Sequence, residues 1–111
     1  MKLSTIFRRI DKLYSNPQRW VSGQYSEYKT LRGKNVECYC LVGALNKVTG
    51  AFSSSSDADR PEYKALKRSI KQLHTGHRGS IESWNDRKRR TIGEIRAVVK
   101  RALKNAVAAG A

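Results

Sequence analysis

The side chains best suited to covalent or metal chemistry are few: Cys38 and Cys40, one residue apart, and His74 and His77, set among glycines. A thiol near the start of a helix can act as a nucleophile, because the helix dipole favours the thiolate and a nearby amide or carboxylate can orient a histidine base. Cys40 could take that role, with Asn85 or Asp86 behind a histidine. The competing reading is structural, since a cysteine beside Gly43 and Ala44 more commonly serves as a small buried hydrophobe. No catalytic residue is assigned on this basis. A metal site fares no better. Two cysteines on one regular helix would point about 200° apart, and Cys-x-Cys matches neither a zinc-binding loop nor a redox pair. Neither a metal nor a cofactor is expected, and the short stretch Thr75 to Ser80 is too little to make a phosphate loop.

Charge speaks more loudly than any motif. The 111 residues carry 23 Lys and Arg against 9 acidic groups, a formal net charge of +14. Such an excess predicts attraction to polyanions. From Arg60 to Lys104 there are fourteen basic and four acidic residues, a balance of +10. The expected contact residues are Lys64, Lys67, Arg68 and Lys71 on one helix, then the run Arg87, Lys88, Arg89 and Arg90. Arg96, Lys100 and Lys104 follow at four-residue spacing, with Arg101 beside them. A solvated surface that only keeps the protein soluble is the plainer alternative. No pair of helices with outward Arg, Asn or Gln at base-reading positions is evident, so nucleic-acid contact would be made to the backbone and would weaken steeply with salt. Most aromatics fall on apolar faces, which argues against a stacking platform; Tyr25 and Tyr28 are the exceptions.

The elements that must hold these residues read as helices. Leu3, Ile6, Phe7, Ile10, Leu13 and Tyr14 make one apolar face, ended by Asn16 and Pro17. Trp20 follows as a core anchor. Residues 21–36 have no helical period and read as a loop or short irregular hairpin turning at Arg32-Gly33-Lys34-Asn35. A second helix is expected from Glu37 to Val48, burying Cys38, Leu41, Val42, Leu45 and Val48 and closing on Gly50. Its Gly43 and Ala44 leave a surface that another helix can approach closely. Asp59 can cap a third helix, with Pro61 and Glu62 in its first turn and Tyr63, Leu66, Ile70 and Leu73 inward, running to about His74. The serine-rich stretch before it reads as a polar loop. The last helix begins near Thr91 and buries Ile95, Val98, Val99, Ala102, Leu103, Ala106 and Val107. The expected fold is mainly α, a single domain over residues 1–111 of about four helices, with an irregular crossing or short hairpin between the first two.

Three blocks then resemble one family. Arg19-Trp20, the group Cys40, Gly43, Ala44 and Leu45, and the block Ile81, Trp84, Asn85 and Asp86 followed by Arg90, Thr91 and Glu94 occur in the order seen in a family of small bacterial and phage proteins. That family is catalogued as a domain of unknown function. The resemblance implies a fold and supplies no activity. Many relatives carry a histidine where this chain has Ile92, and they are less basic. Within the third block Thr91 and Glu94 form a Thr-x-x-Glu capping box, Trp84 is expected to plug the core, and Asn85 and Asp86 to bind local backbone or arginine side chains. Arg87 to Arg90 remain as the part able to meet an anion.

The first expectation is thus a small basic helical protein that contacts nucleic acid non-specifically. The second is an interaction or structural module, phage-encoded in one version, that docks an acidic protein surface or a larger assembly. An enzyme using Cys40 ranks third, and a non-enzymatic role is favoured. No stretch suits membrane insertion and no secretory leader is evident, so the expected location is the cytoplasm of a bacterial host, or the virion if the gene is a phage's.

Overall fold

The computed structural model describes residues 1–51 and 59–111. Helix α1, Leu3–Leu13, buries Ile6, Phe7 and Ile10 on its apolar stripe, with Tyr14 buried just past its end. There the Tyr14 hydroxyl donates to the Tyr39 carbonyl at 2.9 Å. Asn16 accepts from the Gln18 amide and opens a single 3₁₀ turn, Pro17–Arg19. The Arg19 guanidinium donates twice to the Glu37 carbonyl and lies 5.8 Å above the Tyr39 ring, fastening this turn to the strand that holds both residues.

That strand belongs to a regular antiparallel hairpin of β1, Ser26–Leu31, and β2, Lys34–Tyr39, in register from Ser26 opposite Tyr39 to Leu31 opposite Lys34. Arg32 and Gly33 make the two-residue turn, with φ of 52° and 75°. Both angles are positive, which gives the backbone twist that closes a tight hairpin. The expected helix from Glu37 is therefore corrected. Cys38 lies in β2, and α2 is confined to Leu41–Thr49. The spacing of Cys38, Leu41, Val42 and Leu45 fits a helix, but pairing with β1 claims the backbone through Tyr39. Gly50 ends α2 in the left-handed conformation, as expected.

Helix α3 is Pro61–Leu73, the short α4 is Ile81–Asn85, and α5 is Ile92–Ala108. Arg60, not Asp59, is the N-cap of α3, and no side chain caps it. The helix starts on Pro61, whose missing N–H needs no acceptor. Arg60 instead reaches Glu62, Asn46 and Thr49 and ties α3 to α2. Two residues expected inside are at the rim: Leu73 and Val107 are 38% and 55% exposed. Each lies near a helix end, Leu73 as the last residue of α3 and Val107 as the last but one of α5. Helices α1 and α5 pack antiparallel, with Ser4 meeting Ala111 at one end and Asp11 meeting Arg96 at the other. On α5's other flank, Asn105 donates to Gln72 of α3 at 2.7 Å.

One hydrophobic cluster links the five helices and β2, including Phe7, Cys38, Leu45, Leu66, Trp84 and Val98. The radius of gyration is 13.3 Å, against about 13 Å for a compact chain of this length. The fold is mainly α, with one two-stranded sheet added. Among the described residues no helix is long and apolar enough to cross a membrane. The serine-rich loop read at 53–58 lies outside the described residues.

Candidate anion-binding site

Asn85 ends α4 with no exposed surface, and its amide is fully used. The oxygen accepts from Trp20 Nε1 at 2.8 Å and from the Leu41 amide at 3.1 Å. The nitrogen donates to the Val21 carbonyl at 3.1 Å and to Asp86 Oδ1 at 2.8 Å. Asp86 Oδ1 also accepts from the Gly23 amide. The expectation of local backbone or arginine partners is thus corrected: the block joins α4 to the segment before β1 and to the first residue of α2. Trp84 plugs the core, as expected, whereas Trp20 is only half-buried.

After this anchor the chain makes a tight turn, closed by the Arg90 amide on the Arg87 carbonyl at 3.0 Å. Arg90 folds inward. Its guanidinium lies 4.2 Å over the Trp84 ring, donates to the Trp84 carbonyl and pairs with Glu94 at 2.8 Å. With its side chain only 7% exposed, Arg90 is removed from the expected contact set. The capping box forms as expected: Thr91 Oγ1 accepts from the Glu94 amide while Glu94 accepts from the Thr91 amide. Those bonds, chiefly the Thr91 N–H, hold the Glu94 carboxyl below its usual pKa. They also occupy two of the backbone donors at the start of α5, those of Thr91 and Glu94.

Arg87, Lys88 and Arg89 remain exposed, without an ion pair among the described residues. They form one wall of a cleft of about 650 Å³, and Leu73 to His77 form the other. Both walls are pinned. His74 meets Trp84 edge to face at 5.3 Å, and His77 Nε2 lies 3.2 Å from the Ser80 carbonyl. Residue type alone suggests these histidines as a base or as ligands, not as a wall. The signal for a wall is the Thr75-Gly76 turn between them.

The other expected cations fall in separate patches. Arg96 is half-buried and bound to Asp11 at 3.3 Å, so it leaves the row it was to share with Lys100 and Lys104. Those two are exposed on α5, with Arg101 half-buried beside them. On α3, helical geometry sets Lys64, Lys67 and Lys71 on one flank and Ala65, Ser69 and Gln72 on the other, with Arg68 outermost. Gln72 is the residue that meets α5. The α3 cations accordingly flank the side away from α5, and the expected continuous face is divided.

Among the described residues every acidic side chain but that of the exposed Asp59 is engaged within the molecule. Asp11, Glu62 and Glu94 pair with arginines. Glu82 accepts from Tyr25 and Tyr63, Asp86 from Gly23, Glu37 from Tyr39, and Glu27 from Gln24 while pairing with Lys29. The surface field is left to unpaired lysines and arginines.

Cys40 is the N-cap of α2, its sulfur 3.4 Å from the Gly43 amide. Burial pushes its thiol up to about 11, beyond what the Gly43 and Val42 amides can offset. That is the reverse of an activated nucleophile. Cys38 is buried as well. Iodoacetamide near neutral pH is expected to leave both thiols unmodified until the protein unfolds; rapid native adduct formation at Cys40, read by mass spectrometry, would restore the nucleophile. Among the described residues no three of His, Cys, Asp and Glu gather as a metal ligand set.

No curated protein and no solved structure matches the chain. One family does match, over residues 2–105, a span that runs from α1 into the last turns of α5 and takes in both walls of the cleft. The chain belongs to this family, described as a family of unknown function (DUF6197).

Proposed function

We propose that this protein binds nucleic acid through its phosphate backbone, without reading bases. The observation that carries the reading is the division of labour among charges: among the described residues every acid but the exposed Asp59 has an internal partner, while Arg87, Lys88, Arg89, Lys100 and Lys104 stand exposed and unpaired. Unpaired surface cations released from internal pairing are the source of sequence-independent affinity. Their spread over several patches favours an extended polyanion over a single acidic knob on a protein. Recognition of bases is disfavoured, because Trp84 is buried beneath Arg90 and Tyr25 is held by Glu82. Among the described aromatics Tyr28 alone is mostly exposed, at 65%.

Fluorescence-anisotropy titrations against unrelated duplexes at two salt concentrations test this. Binding is expected with similar affinity for each sequence and a steep inverse salt dependence. A Lys100→Gln, Lys104→Gln double variant should flatten the salt slope by about 1.8 if both residues touch phosphate, at about 0.9 per contact. Absence of binding to any nucleic acid at low salt overturns the reading.

A further inference from the structure

We infer that the cleft between residues 73–77 and 87–90 is built for the phosphates of a single strand and not for those of a duplex. The inference rests on the proposed nucleic-acid binding and names its substrate class. The cleft is open to solvent, and its volume of about 650 Å³ is comparable with that of small-molecule pockets, about 300–1,000 Å³. A flexible strand can lay one or two phosphates into such a space; a duplex carries its phosphates on a stiff cylinder and meets only the rim.

The chemistry of the walls favours phosphate over base. Arg87, Lys88 and Arg89 supply the charge, and the one carboxylate in the lining, Glu94, is already bound by Arg90 and Thr91. The aromatic ring in the lining, Trp84, has Arg90 over it and His74 at its edge, which leaves no open face for a base to stack on. The turn itself carries strain in the same place. Arg89 has φ of 70°, a conformation in which glycine would be relaxed and arginine is not. An arginine held there contributes through its side chain, since its backbone works against the fold.

The deciding experiment uses the full chain, a short labelled mixed-sequence oligonucleotide, and its duplex, at matched salt. The single strand is expected to bind about tenfold tighter than the duplex. Arg89→Gly should weaken the single strand about tenfold and flatten its salt slope by about 0.7, leave the duplex nearly unchanged, and keep or raise the thermal midpoint. Arg89→Lys, strained like the parent, should retain most of the single-strand affinity. Equal binding of both forms, or an Arg89→Gly protein that holds the single strand like the parent, overturns the cleft assignment while the general nucleic-acid reading stands. Failure of both forms to bind overturns the two together.

Discussion

Replacing Asn85 by alanine is expected to remove about 4 kcal/mol of folding stability, because four partners, Trp20, Leu41, Val21 and Asp86, lose their bonds at once. The Leu41 amide and the Val21 carbonyl are both on buried residues and have no other partner in place for these bonds. An unsatisfied buried polar group costs about 1–3 kcal/mol. Trp20 is half-buried, so its indole N–H can turn to water and adds less. Against a typical domain stability of about 5–15 kcal/mol, such a loss takes much of the total. Urea denaturation followed by circular dichroism reads it directly, as a large fall in midpoint at unchanged slope. Asn85→Asp separates the parts: it keeps oxygens for Trp20 and Leu41, forfeits the donor to Val21 and sets a second carboxylate against Asp86. It should also be destabilised. An alanine variant within about 1 kcal/mol of the parent would mean that Asn85 does not join α4 to α2.

The partners of Asn85 explain why its role could not be read from the sequence. All but the adjacent Asp86 lie 44, 64 and 65 residues away, and a Trp-Asn-Asp block signals only that polar groups sit beside a large apolar one. What was legible was local. Apolar spacing gave α1, α3 and α5 because one helix face repeats every 3.6 residues, and the Thr91 and Glu94 box marked the start of α5 because both partners lie within one turn. Helix α2 was legible at its Gly50 end and misplaced at its start. Cys38 happens to fit the helical stripe, and only pairing with the distant β1 makes it a strand residue. The four consecutive cations at 87–90 look alike in sequence, yet one is a core group. The only local signal for Arg90 was an acidic residue four positions on, Glu94, although Arg90 itself precedes α5. Arg96 had no such signal, since Asp11 is 85 residues away.

Gly43→Ala tests the join between hairpin and helix, and its sign is decided by two opposed effects. Within a helix, alanine is favoured over glycine by about 1 kcal/mol, so propensity alone predicts a more stable protein. A Cβ at position 43, however, would lie 1.9 Å from the Tyr25 carbonyl oxygen and 2.9 Å from its carbon. The obstacle is backbone, which cannot swing aside as a flexible side chain can. The small-residue surface predicts a helix as its neighbour; the close neighbour is instead the chain entering β1. That same carbonyl accepts from the Cys40 amide at 3.1 Å, so relieving the clash pulls against the residue that caps α2. Tyr25 also bonds Glu82 of α4 through its hydroxyl, which carries the displacement towards the Asn85 anchor. Overpacking of this kind costs about 1–3 kcal/mol and occasionally more, and the fixed backbone places this site at the upper end. A net loss of about 2 kcal/mol or more is expected after the helical gain, measured by thermal and urea denaturation. An alanine variant more stable than the parent would show that the hairpin does not rest on Gly43, because propensity would then have acted unopposed.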